Sequence, residues 1–156
     1  MSTSPIVCTV ALLIADNKLL LAMKKRGFGQ GRWNGPGGKV EPNESIEQAL
    51  VRECQEEIGV TPLEYRKMAI HDFVFPDGQS NMQVHVFVCT KWRGQPAESD
   101  EMAPRWFSID NIPYKNMWQD DEYWLPQVLA GRQLHTRFSF DADENMLTHQ
   151  VHEAAL

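Results

Sequence analysis

The chain has 156 residues, 42% of them hydrophobic and 23% charged, the balance of a folded globular protein rather than a disordered one. Twenty-one acidic residues against 15 basic ones leave a net charge of −6. That argues against a sequence-independent grip on long nucleic acid, which needs a broad basic surface, and allows a small phosphorylated ligand held through a metal ion.

One domain covering residues 1–156 is expected. The three cysteines, Cys8, Cys54 and Cys89, are odd in number and form no CxxC pair. They read as reduced, mostly buried thiols of a cytoplasmic protein, and a monomer is the expected state. The apolar run Ile6 to Ala15 is too short to span a bilayer and has no basic segment before it, so no membrane partner is expected.

In chain order, Ile6–Ala15 and Lys18–Met23 read as strands joined by a hairpin turn at Asp16–Asn17. Lys24 to Lys39 reads as a loop carrying six glycines. A helix is predicted from about Ser45 to Ile58, capped by Asn43 or Ser45 and closed by Gly59 in a left-handed conformation. Strand-like stretches follow at Tyr65–Phe75, Gln83–Trp92 and Arg105–Ile109. A second helix is predicted at Asp120–Ala130, weakened by Pro126. Leu134–Phe140 and Met146–Val151 are expected to pair as a hairpin. Strands mixed with two helices imply an α/β fold, with helices packed on a mixed sheet.

The most informative segment runs from Gly38 to Val60. At about 100° per residue, Glu53, Glu56 and Glu57 share one arc of the helix. Ile46, Ala49 and Leu50 lie on an overlapping arc, whereas Gln48, Arg52 and Gln55 fall opposite. The acids therefore continue the inward stripe instead of occupying the solvent face. Like charges at these spacings repel, more so when partly desolvated. A hard divalent cation with oxygen ligands removes the conflict, and Mg²⁺ takes one or two carboxylates plus water and substrate phosphates. The blander reading, an acidic solvated face, is disfavoured by the wheel.

The same segment matches the Nudix box, G-x5-E-x7-R-E-U-x-E-E-x-G-U, at Gly38, Glu44, Arg52, Glu53, Glu56, Glu57, Gly59 and Val60. Cys54 stands where a bulky aliphatic is usual. The chain thus resembles the Nudix hydrolases, which implies an α/β/α sandwich around a central mixed β-sheet. The resemblance also implies Mg²⁺-dependent hydrolysis, with Mn²⁺ as the alternative ion, of a nucleoside diphosphate linked to another group. Glu53, Glu56 and Glu57, with Gly37 and the distant Glu101, would be the metal ligands. Arg52 would orient the carboxylates and Glu44 would be structural. Glu53, Glu56 and Glu101 all stand as candidates for the base.

Further segments resemble the branch of the family that acts on oxidised purine nucleoside triphosphates: Lys24–Gly29, Gly31–Gly35, Val84–Phe87, Glu98–Met102 and Met117–Trp124. By that resemblance Asn34, Asp120 and Asp121 would read the base edge and Trp118 would stack on its face. Thr9, Lys24, Phe28, Gly37, Gly38, Phe73, Phe75, Met82, Met102 and Trp124 would complete the substrate site. Singly, each has a plainer reading: Asp120–Asp121 as a helix cap, Trp118, Phe73 and Phe75 as core aromatics. Pro36 stands where that branch has an aromatic, and His71 to Met82 differs in composition. The implied reaction converts 8-oxo-dGTP, with 2-hydroxy-dATP and methylated purines as further substrates, to monophosphate and pyrophosphate. Another nucleotide, such as ADP-ribose or a dinucleoside polyphosphate, is the alternative; a non-catalytic nucleotide sensor is disfavoured because all three helix glutamates are present. The five histidines show no metal-ligand spacing beyond His149/His152 and are given no role.

Overall fold

The computed structural model describes residues 4–156. Its strands are β1 (Ile6–Ala15), β2 (Lys18–Lys24), β3 (Trp33–Asn34), β4 (Gly37–Lys39), β5 (Thr61–Val74), β6 (Met82–Arg93), β7 (Met102–Ser108), β8 (Leu134–Phe140) and β9 (Met146–Glu153). Two helices, α1 (Ile46–Ile58) and α2 (Asp121–Leu129), interrupt them. The hairpin between β1 and β2 turns on Asp16 and Asn17, both at positive φ, the geometry a two-residue turn demands.

The sheet is mixed. β1 runs parallel to β6, and β5 runs antiparallel to β6 and parallel to β8. β9 closes the far edge. The other flank of β1 is divided: β2 pairs with its Leu13–Ala15 end, and β4 pairs with Cys8–Val10. Between them the Ala11 amide donates to the Pro36 carbonyl at 2.8 Å. Gly37 passes so close that a Cβ there would lie 1.8 Å from the Thr9 carbonyl oxygen. Only glycine permits that approach.

Strand alternation sends successive residues to opposite faces. Leu12, Leu19, Leu21, Val84 and Val86 pack with Trp124, Leu125 and Val128 of α2. Their neighbours Ala11, Leu13, Leu20, Ala22 and Phe87 pack with Leu50, Cys54 and Ile58 of α1. Helices thus cover both faces, giving the α/β/α sandwich. α1 starts at Ser45, whose hydroxyl accepts from the Gln48 amide while the Gln48 side chain accepts from the Ser45 amide. Asn43 instead bends the preceding turn at φ 67°. Gly59, at φ 72°, ends the helix. Ser45→Ala is expected to cost about 1 kcal/mol, lowering the thermal midpoint by roughly 3 °C with turnover unchanged, as read by calorimetry beside an activity assay.

The sequence reading differs from the structure mainly between Lys24 and Lys39, where β3 and β4 replace a continuous loop. They span two and three residues, too short for alternation to show. β7 starts earlier than expected, at Met102, and includes Pro104. α2 accommodates Pro126 because its hold on the sheet is the buried face of Trp124, Leu125 and Val128.

Candidate functional site

The carboxylates of α1 differ sharply in burial. Glu57 is 6% exposed, and its Oε1 accepts from the Gly37 amide at 2.7 Å. Burial pushes its carboxyl up to about 7, a shift the Glu53 and Glu101 charges add to. Glu53 lies against the backbone of Gly38. Its carboxyl is also raised, mainly by burial, although Arg52 pulls the other way. Glu56, expected on the inward stripe with Glu53 and Glu57, has an exposed side chain instead.

Arg52 gathers this cluster. Its Nε and Nη2 donate to the two Glu44 oxygens at 2.7 and 2.9 Å. Its Nη1 reaches Glu53 at 2.7 Å and Glu56 at 3.3 Å, and Nη2 also donates to the Lys39 carbonyl. Arg52, expected opposite the acids, instead stands one turn before Glu56 at i,i+4, and its long side chain reaches Glu53 and Glu44 as well. The fork geometry of guanidinium makes this bidentate hold on Glu44 a rigid one.

Glu101 comes from the segment before β7. It accepts from Arg26 at 2.8 and 3.0 Å and lies 3.9 Å from Lys24 Nζ. The Arg26 guanidinium holds its carboxyl below the usual range. Lys25 pairs with Glu98. Lys25 and Arg26 are therefore engaged with acids, whereas Lys24 and Lys39 line the cavity described next.

Among the described residues no three histidine, cysteine or acidic side chains already close around one point as a metal cage. The donor set still fits a hard divalent cation. Two partly or fully buried carboxylates carry charge that burial disfavours, with a backbone amide and one shared arginine as their direct hydrogen-bond partners. Oxygen donors of this kind suit Mg²⁺ or Mn²⁺ better than softer ions.

Beside this cluster opens a cavity of about 300 Å³. Every residue expected to contact substrate lines it. Thr9, Gly37 and Gly38 form the side next to Glu57, and Lys24, Asn34 and Met102 flank them. Phe73, Phe75 and Met82 come from β5 and β6, across the stretch whose composition departs from the resembled branch. Trp118, Asp120, Asp121 and Trp124 belong to α2 and its approach. Phe28 stands at the mouth, 54% exposed, with its ring 5.1 Å from Trp118.

Trp118 is held on several sides. The Arg32 guanidinium lies 4.1 Å above its ring and is itself paired with Glu144 at 3.0 Å. Gly29 leaves room for the indole, since a Cβ there would lie 3.3 Å from its nitrogen. Phe140 meets it edge-on at 5.7 Å. Asp120 does not cap α2 through its side chain. Instead Trp124 Nε1 donates to Asp120 Oδ2 at 2.9 Å. Both aspartates are buried, and burial raises both carboxyls, Asp121 further because of the Asp120 charge beside it. Two adjacent buried acids of this kind retain a proton between them.

Sequence reasoning missed two residues of this wall, Phe140 and His71, and one that backs it, Arg32. Phe140 sits on β8, where it reads as one more alternating core residue. His71 looks like an isolated histidine in a strand. Arg32 precedes β3 and lacks any pattern linking it to Glu144, 112 residues later.

Residues 5–128 match the family model of the NUDIX domain. The oxidized purine nucleoside triphosphate hydrolase of Danio rerio is 43% identical over 145 residues, covering 93% of each chain. The protein of the same name from Mus musculus is 40% identical over 153 residues, 98% of this chain and 97% of its own. The crystal structure of a MutT protein from Bacillus halodurans superposes with a TM-score of 0.84 at 27% identity, covering 94% of this chain and 97% of that one. The box on α1, the sandwich built around it and these matches agree: the chain belongs to the Nudix hydrolase family.

Proposed function

We propose that this chain hydrolyses oxidised purine nucleoside triphosphates, 8-oxo-dGTP foremost, to the monophosphate and pyrophosphate, clearing damaged precursors from the nucleotide pool. The observation that carries the reading is one continuous site: a purine-sized cavity lined by Asn34, Trp118, Asp120 and Asp121 that opens beside Gly37, Gly38 and Glu57. Relatives spanning nearly the whole chain carry that activity in their names, which supports the same assignment here.

The residues divide the work. Trp118 stacks on the base, backed by Arg32 and Phe28, and stacking is tolerant of base identity. Asn34 offers both a donor and an acceptor. Asp120 and Asp121 supply the discrimination: a carboxylate accepts from a ring N–H and a protonated carboxyl donates to a carbonyl, so a pair holding one proton does both. An 8-oxo-purine presents such an added N–H and carbonyl together. Lys24 and Lys39 meet the phosphates at the other end.

Nudix hydrolases generally use divalent metal ions. Here Mg²⁺, with Mn²⁺ as the alternative, would be held by Glu53, Glu56 and Glu57, with Gly37 and Glu101 as further oxygen donors, and would neutralise phosphate charge. Arg52 keeps Glu53 and Glu56 in register with Glu44 as its anchor. The reading includes a monomeric cytoplasmic enzyme acting on free nucleotides, supported by three free thiols and by the net charge of −6. No helix among the described residues is long and apolar enough to cross a membrane.

The test is pyrophosphate release with Mg²⁺ from 8-oxo-dGTP, 2-hydroxy-dATP and dGTP, with AMP formation from ADP-ribose measured in parallel. The expected result is a kcat/KM for an oxidised purine at least about tenfold above that for dGTP. A preference for ADP-ribose would discard the base-pocket assignment while keeping the carboxylate helix.

A further inference from the structure

His71 lies on β5 between Val84 of β6 and Thr136 of β8. It is 1% exposed and packs against Trp124, Phe73 and Phe138, the nearest ring centroid 4.3 Å away. Its Nδ1 sits 2.6 Å from Thr136 Oγ1. Its Nε2 has no hydrogen-bond partner in the protein. A buried polar group left unmade is costly, so a native structure that keeps one calls for an explanation.

The placement supplies one. His71 and Val84 line the cavity, and Thr136 does not. With Nδ1 committed to Thr136, Nε2 is the one ring nitrogen of this cavity-lining residue left to meet a ligand. Among the described residues three buried side-chain atoms lack a partner: His71 Nε2, Thr9 Oγ1 and His85 Nδ1. The first two belong to residues lining the same cavity. Two unmet polar groups on one concave wall are a complement waiting for a ligand's polar atoms.

Building on the hydrolase reading, we propose that His71 is a further base-contacting, specificity-determining residue, whose Nε2 hydrogen-bonds a polar edge atom of the bound purine. Burial holds the imidazole at about 3, far below its ordinary value, so it reads the base as a neutral ring. A neutral imidazole has two tautomers, and the Thr136 hydroxyl can accept from Nδ1–H or donate to bare Nδ1. Nε2 can therefore accept from an amino group or donate to a carbonyl without any change of charge. That complements the aspartate pair, which achieves the same choice only by moving a proton.

The test combines kinetics with NMR. His71→Leu is expected to raise KM for the preferred purine triphosphate about tenfold while kcat stays within about twofold. The ratio of kcat/KM between 8-oxo-dGTP and 2-hydroxy-dATP should shift as well. If His71→Leu folds poorly because Thr136 is left unpaired, the double variant His71→Leu/Thr136→Val removes both polar partners and should fold with the same KM defect. In the wild type, the His71 imidazole nitrogen resonances should move on saturation with 8-oxo-dGMP. An unchanged KM and substrate ratio in a folded variant, or unmoved resonances in nucleotide-saturated protein, would overturn the assignment. Absence of wild-type turnover on oxidised purines would instead sink the hydrolase reading, and the resonance shift on nucleotide binding would still decide the role of His71.

Discussion

Glu57→Gln is expected to lower kcat by about three orders of magnitude while moving the thermal midpoint in chelator by no more than about 2 °C. The two outcomes separate because Glu57 has one contact with the fold and, on the proposed reading, a separate one with the metal ion. Its fold contact is one hydrogen bond accepted from the Gly37 amide, which the carbonyl of a glutamine accepts equally well. Volume and shape are conserved, so α1 and β4 keep their register. What the glutamine lacks is the negative charge of a hard oxygen ligand, and amides bind divalent cations far more weakly than carboxylates do. Glu56→Gln, at an exposed position, should show a comparable loss with even less effect on stability. Steady-state pyrophosphate release and calorimetry on the same preparations settle it. A Glu57→Gln protein keeping more than about a tenth of wild-type turnover would remove Glu57 from the reaction.

The carboxylate helix was legible because its information is local. Spacing within 23 residues puts Glu53 and Glu57 on the buried stripe, and Gly59 and the Ser45 capping box punctuate its ends. Long apolar alternation likewise exposed β1, β2, β5 and β6, and from them the two-faced sheet. β3 and β4 escaped because two or three residues carry no period. Their existence depends on Gly37 fitting against Thr9, a contact between segments that no local pattern encodes.

That the base-pocket residues share one cavity was legible only through resemblance. Nothing in the spacing of Asn34, Phe73 and Trp118 brings them to one wall; the approach to α2, the β3–β2 pairing and the parallel pairings of β1 with β6 and β5 with β8 do that together. The same pairing hides His71, whose character comes from Thr136, 65 residues away. Asp120 and Asp121 are the instructive case. From sequence, two acids at a helix start are an ordinary cap, whereas in the fold both are buried, and Asp120 is turned to Trp124 instead of to the helix amides.

That burial makes Asp121→Asn the second variant with a large expected effect. A carboxyl whose folded value is raised above its ordinary one, near 3.8, contributes stability that is complete below that pH. The contribution is lost as pH rises through the folded value, because the unfolded chain releases its proton first. The wild-type thermal midpoint should therefore fall between pH 4 and pH 7 more steeply than that of Asp121→Asn. The variant cannot ionise at this position, so it should gain stability relative to wild type as pH rises. Activity should move the opposite way. The amide fixes one donor and one acceptor where the acid pair can redistribute a proton, and kcat/KM for 8-oxo-dGTP should drop about a hundredfold. The loss for dGTP should be smaller, so discrimination narrows. Parallel pH slopes for the two proteins would mean that Asp121 is already ionised in the fold. A pocket reading the base through a shared proton predicts steeper wild-type melting and sharper wild-type selectivity together, because the unfavourable burial of two acids is what keeps that proton in place.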